Sequence, residues 1–217
     1  MLKYQVIPVT AFSQNCTVLW CDQTLRGAVV DPGGDIELII DAIEQHEITI
    51  EKILLTHAHI DHAGGTAQLA KQLNLTIEGP HKEDKFWIDA LDQQAQMFGF
   101  DPVESFTPDR WLEQGDVVSV GNEVLQVIYT PGHTPGHVVF YSKTLDKAWV
   151  GDVLFAGSIG RTDFPRGDHQ TLIDSICERL WPLGNSVEFI CGHGPNSTFG
   201  QERQSNPLVG DRVTGLA

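Results

Sequence analysis

Apolar and polar positions alternate in short runs over the first third of the chain, which predicts strands at residues 2–9, 15–21 and 26–31. Pro32-Gly33-Gly34 then breaks the pattern, and Ile36, Ile39, Ile40 and Ile43 recur at the spacing of one buried helix face across 35–46. An apolar strand at 49–55 runs directly into a histidine-rich stretch. A short helix at 65–73, a strand at 76–78, a helical stretch at 83–97 and a polar loop at 102–108 follow. The second half returns to strands at 117–120, 124–130, 137–142 and 147–150, separated by Gly, Asp and Asn turns, then a helix at 168–180 and a strand at 187–191. Strands, a helix and a histidine-bearing loop thus occur once in each half, which predicts a mixed α/β protein of two similar packed layers. Periodicity alone leaves a sandwich and an open sheet both open.

Composition narrows the class. A chain of 217 residues, 41% hydrophobic and 20% charged, is expected to bury a sizeable core as one domain over 1–217. Its formal charge of −15 repels phosphate backbones and anionic headgroups, so neither nucleic acid nor a membrane is expected as a partner. Bound divalent cations would still make one pocket locally positive, which keeps a small anionic substrate in view. The first residues read as a strand rather than a targeting segment, and the expected location is cytoplasmic. Cys16, Cys21, Cys177 and Cys191 show no CxxC spacing, so no disulfide scaffold is expected. A monomer is expected.

The chemistry is concentrated in His57-Ala58-His59-Ile60-Asp61-His62. Residues two apart on an extended segment point to one side, so His57 and His59 can converge on one ion. If the backbone turns helical at Asp61, that carboxylate and His62 can face a second ion close by. Imidazole and carboxylate suit a borderline cation such as zinc. His133 and His137 sit on the Gly/Pro-rich turn Thr130 to His137, Asp152 ends a strand after Gly151, and His193 follows Cys191-Gly192. Cys191 reads as a small core residue. His169, after the N-cap-like Asp168, is expected near the site mouth, and the Phe86-Trp87 pair in the core.

The HxHxDH run with the later His133, Asp152 and His193 resembles the metallo-β-lactamase superfamily, in its glyoxalase II (hydroxyacylglutathione hydrolase) branch. The resemblance implies an αββα sandwich of two mixed sheets flanked by helices. It implies a first metal on His57, His59 and His133, a second on Asp61, His62 and His193, and Asp152 bridging both, with His137 outside the shell. Two divalent cations, zinc before iron or manganese, would share a hydroxide held with Asp61 and Asp152 that cleaves a thioester, S-lactoylglutathione giving lactate and glutathione. Full-length enzymes of that branch carry a C-terminal helical domain with glutathione contacts; the 24 residues after His193 are not expected to form one, so the resemblance is to the short type II form. Arg161 is then the candidate for a substrate carboxylate, against a simple Arg161–Asp163 ion pair. Two other readings stand beside it. A mononuclear-iron persulfide dioxygenase shares Gly160-Arg161-Thr162-Asp163 and would use His57, His133 and Asp152; a non-catalytic metal-binding protein would use the cluster alone.

Overall fold

The computed structural model describes residues 1–216. Strands β1 (Leu2–Val9), β2 (Gln14–Cys21) and β3 (Arg26–Val30) form an antiparallel meander. Helix α1 (Ile36–Gln45) crosses over to β4 (Thr49–Leu54), which pairs parallel with β3. The short helix α2 (Ile60–Ala63) and α3 (Thr66–Leu73) lead to β5 (Thr76–Glu78), completing a sheet in the order β1-β2-β3-β4-β5. Helices α4 (Lys85–Asp89) and α5 (Leu91–Phe98) cover its outer face.

The second sheet begins with β6 (Val117–Val120), β7 (Glu123–Tyr129), β8 (Val138–Ser142) and β9 (Lys147–Gly151), all antiparallel. A small hairpin, β10 (Leu154–Phe155) with β11 (Ser158–Ile159), precedes α6 (His169–Ser175), which continues as a π-helical turn at Ile176–Leu180. Strand β12 (Glu188–Cys191) pairs parallel with β9 and antiparallel with β13 (Ser197–Thr198), giving the order β13-β12-β9-β8-β7-β6. Helices α7 (Phe199–Ser205) and α8 (Asp211–Thr214) end the chain.

Three apolar layers show how these parts stack. Leu19, Val30, Leu54, Val127, Phe140 and Trp149 pack between the two sheets. Ile39, Ile43, Leu69, Ile88 and Leu91 fill the space between the first sheet and its helices, and Leu172, Ile176, Leu180 and Phe189 do so for the second. The architecture is therefore helix–sheet–sheet–helix, the αββα sandwich. Strands β8 and β9 are buried at every position because they have neighbours on both faces. Edge strand β6 alternates between exposed and buried.

The structure departs from the sequence pattern at 83–97, which is broken rather than continuous. A 3-10 turn (Lys82–Asp84) precedes α4, and Ala90 leaves the helical region before α5 starts. The Gln94 amide reaches back into the break and donates to the Trp87 carbonyl at 2.9 Å. The same carbonyl accepts from the Ala90 N–H at 3.1 Å, so Gln94 adds a second bond where the helix is interrupted.

Candidate metal centre

The site forms where several strands of both sheets end at one edge of the sandwich. The Asp31 N–H donates to the Leu54 carbonyl at 3.0 Å, and the Val138 N–H donates to the Thr56 carbonyl at 2.8 Å, locking the segment after β4 between the two sheets. Backbone at His59 is extended, and α2 starts immediately after it, which carries Asp61 and His62 onto its first turn. This turn sits on Gly33, where a Cβ would come within 1.6 Å of the Asp61 carbonyl oxygen. Only glycine permits that approach.

Two sets of side chains converge. In each of His57/His59/His133 and Asp61/His62/His193, the ligand atoms lie within 4.8 Å of one another. Asp152 stands between the sets. Its Oδ2 is 3.7 Å from both His133 Nε2 and His193 Nε2, and its Oδ1 is 3.3 Å from His62 Nε2. His193 Nε2 reaches Asp61 Oδ2 at 3.0 Å. All the site residues expected from the His/Asp motifs are thus brought into one cluster, with Asp152 where a carboxylate can face both sets.

Hydrogen bonding fixes which ring nitrogens point inward. Asp31 Oδ2 accepts from the Thr56 hydroxyl at 2.6 Å and from His62 Nδ1 at 2.9 Å, while Oδ1 accepts from the Thr56 N–H at 2.7 Å. Since the Thr56 hydroxyl proton is spent on Asp31, the 3.0 Å contact from His57 Nδ1 to Thr56 Oγ1 is donated by the histidine. His133 Nδ1 likewise donates to the Arg161 carbonyl at 2.7 Å. The Nε2 lone pairs of His57, His62 and His133 are left facing the centre, the tautomer that metal ligation needs. A further possible grouping, Asp31/His57/His62, is better understood as support, because the Asp31 oxygens are already committed.

The donor set fits divalent cations. His57 Nε2 and His59 Nε2 are buried with no hydrogen-bond partner, an arrangement that is costly unless something else satisfies those atoms, and His62 Nε2 and Asp152 Oδ1 meet each other at 3.3 Å. Burial, with repulsion from neighbouring imidazoles, holds His57 well below its ordinary pKa; burial and His133 do the same for His59. These rings are neutral and available as ligands. Burial also disfavours a charge on His62, but Asp152 and Asp61 outweigh it and push its pKa well up. Burial likewise opposes ionisation of Asp61 and Asp152, yet His62 beside both keeps each below the usual carboxylate range. A cation is what the two carboxylates favour at this spot.

An outer group of buried polar residues, which the sequence did not single out, positions the ligand segments. Asp84 accepts from the Ala58 N–H at 3.1 Å, the Thr134 hydroxyl at 2.8 Å and the Gly136 N–H at 2.6 Å, tying the His57–His59 segment to the His133 turn. Burial raises its pKa to about 7 against the pull of those donors. Gln94 accepts from the Ile60 N–H and donates to the Ala58 carbonyl. His137 lies outside the two sets: its Nε2 accepts from the Asp152 N–H at 3.2 Å, and its ring stacks on His57 at 4.7 Å. Cys191 packs in the core with its thiol on the His193 carbonyl.

A cavity of about 700 Å³ opens in front of the cluster, and Arg161 is at its wall. The Arg161 guanidinium is paired with Asp163 at 2.8 and 2.9 Å and lies over the Phe164 ring. Two expectations are corrected. His169 is not at this mouth but lines a separate depression with Ile173 and Leu208, because α6 turns it away. Phe86 and Trp87, expected only in the core, also line the cavity, and Trp87 touches His59 with ring centroids 4.7 Å apart.

A four-layer αββα sandwich with a buried His/Asp cluster at its strand ends defines a class of metal-centre proteins. The chain belongs to the metallo-β-lactamase superfamily, whose family model matches residues 9–193. It is 43% identical over 212 residues to hydroxyacylglutathione hydrolase GloC of Haemophilus influenzae, covering 97% of this chain and 100% of that one. Among solved structures it is similar to the BLEG-1 B3 metallo-β-lactamase, at 34% identity and a TM-score of 0.87, covering 95% of this chain and 99% of that one. It is also similar to TTHA1623 in a di-iron-bound form, at 32% identity and a TM-score of 0.85, over 94% and 98% of the two chains. Among the described residues, no helix is long and apolar enough to cross a membrane.

Proposed function

We propose that this chain is a two-metal thioester hydrolase of the hydroxyacylglutathione hydrolase type, with S-lactoylglutathione as its reference substrate. The observation that carries the reading is the pair of ligand sets, His57/His59/His133 and Asp61/His62/His193, with Asp152 between them. In this reading the first set would hold one cation and the second set another, with Asp152 as the carboxylate available to both; zinc suits the donors best, and iron or manganese also fit. The name of the Haemophilus influenzae relative points the same way, and the di-iron form of TTHA1623 is consistent with two ions. The 217 residues act in this reading as one cytoplasmic, monomeric domain.

Bound divalent cations supply an activated water and a polarised carbonyl at neutral pH. The protein supplies the rest. Asp61 and Asp152 line the cavity and are placed to orient that water by hydrogen bonding, while Trp87 and Phe164 beside His59 keep bulk solvent away. Water adds to the thioester carbonyl, the C–S bond breaks, and the products are a carboxylate, a thiol and one proton. A thiolate leaves readily, so this step needs no strong general acid. Arg161 is the candidate for a substrate carboxylate, provided that the substrate displaces Asp163.

The test pairs metal analysis with three assays: S-lactoylglutathione hydrolysis, oxygen uptake with glutathione persulfide, and cleavage of a chromogenic β-lactam. Two ions per chain with thioester cleavage and no oxygen uptake supports the proposal. One iron with oxygen uptake would replace it by the dioxygenase reading, and β-lactam turnover alone would replace it by a lactamase.

A further inference from the structure

The cavity in front of the ligands is walled mainly by carbon. Phe12, Trp87, Met97, Phe98, Phe155 and Phe164 all line it. Three of them form an exposed rim: Phe12 is 44%, Met97 77% and Phe98 42% accessible. Phe12 meets Phe98 edge-on at 6.2 Å, so part of this rim is a connected patch rather than scattered residues. A connected exposed apolar patch at the mouth of a cleft marks a surface that binds apolar groups. The apolar wall continues inward to the reacting centre. Phe164 lies 4.8 Å from His59 between ring centroids, and Phe155 faces His193 at 6.3 Å.

Charge argues in the same direction. Arg161 is the one Lys or Arg among the described lining residues, and Asp163 and the Phe164 face already engage it. Away from the ligand sets, the two carboxylates of a glutathione moiety meet only Arg161 and neutral polar groups such as Gln93 and Ser158. Binding energy has to come from apolar contact.

We propose that this site selects thioesters by a bulky apolar acyl group, aromatic or medium-chain, rather than by the thiol, with Trp87, Phe98 and Phe164 as specificity-determining residues. This rests on the thioester hydrolase reading above. An acyl group bound beside His59 places its carbonyl next to the ligand sets and its apolar tail along Trp87 and Phe164 toward the Phe98 rim.

The experiment measures kcat/KM of the metal-loaded full chain on four substrates: lactoyl and mandeloyl thioesters, each made on glutathione and on the neutral thiol N-acetylcysteamine. Both acyl groups are α-hydroxy acids and differ by phenyl for methyl. Mandeloyl is expected to exceed lactoyl by about tenfold or more on both thiols, the scale on which an apolar pocket discriminates. Phe98→Ser and Phe164→Ala are expected to shrink that ratio several-fold. The ratio does not depend on how much of a variant is folded or metal-loaded, so impaired folding cannot mimic the result. Lactoyl equal to or better than mandeloyl, or loss of turnover when glutathione is replaced, overturns the proposal while the hydrolase reading stands. No turnover with any of the four overturns both.

Discussion

Asp31 Oδ2 accepts from His62 Nδ1 at 2.9 Å, and the two residues are buried together beneath the ligand cluster. A carboxylate can only accept here, so it forces the proton onto Nδ1 and leaves His62 Nε2 free to ligate. Asp31→Asn would offer an amide donor in place of that acceptor and favour the other tautomer. The expected outcome is a loss of about 10–100-fold in metal affinity, read by competition with a chromogenic chelator. Unchanged affinity would show that His62 does not take its tautomer from Asp31.

Asp152 is the residue whose two oxygens face both ligand sets. Asp152→Ala is therefore expected to abolish binding of a metal pair and to reduce thioester hydrolysis to background. Metal analysis of the purified variant checks this, with circular dichroism to confirm folding. Two tightly held ions in the variant would remove Asp152 as the bridge.

Much of the fold was legible because it is written locally. Residues 2–9, 76–78 and 117–120 are strands at the bounds that the pattern predicts, and along 117–120 exposed and buried positions alternate as a half-buried strand requires. The histidines and aspartates were legible because three histidines and an aspartate crowd into the stretch from His57 to His62. What stayed hidden depends on distant partners. Stacking of the sheets is set by contacts such as Tyr4 of β1 with Trp149 of β9, ring centroids 5.9 Å apart, which no window contains. The break at Ala90 is stabilised by Gln94 only once Trp87 and Ile60 are in place. β10, β11 and β13 are two residues each, too short for any period to show. Asp31, Asp84 and Gln94 looked like ordinary polar residues, because burial of a polar side chain is a property of the assembled structure.

Asp84 gives a pH dependence with a definite sign. Its pKa rises from an ordinary 3.8 to about 7 in the folded protein, chiefly through burial. Between those values the native state binds more protons than the unfolded one, so this group's contribution to stability is full below about pH 4 and is lost as pH rises toward about 7. Asp84→Asn removes the titration and strains the bonds to Ala58, Thr134 and Gly136. In metal-free protein at pH 5 the variant is expected to be less stable by about 1–3 kcal/mol. The difference should narrow as pH approaches 7, which urea unfolding at a series of pH values measures. A difference independent of pH would mean that Asp84 is ionised throughout.

Gly192 separates damage to the centre from damage to the fold. A Cβ there would lie 2.0 Å from Asp152 Oδ1 and 2.6 Å from His62 Cε1, far inside contact distance. The atoms it meets are side-chain atoms of two proposed ligands. The backbone bonds through Gly192, to the Gly151 carbonyl and from the Asn15 N–H, need no side chain and survive the change. Gly192→Ala is therefore expected to fold but to turn Asp152 and His62 out of position. A ligand displaced on the scale of an ångström costs about 100-fold in rate, and overpacking of this kind costs about 1–3 kcal/mol in stability. A protein that binds metal in its folded state alone gains stability from it, by about 2.7 kcal/mol when the free ion is at a hundred times its dissociation constant. Wild-type protein should thus melt well below its holo temperature after chelation, whereas Gly192→Ala should melt at nearly the same temperature with and without chelator. A variant that keeps the wild-type difference and full activity would show that the centre accommodates the methyl group, and that Asp152 and His62 are held less tightly than their buried contacts indicate.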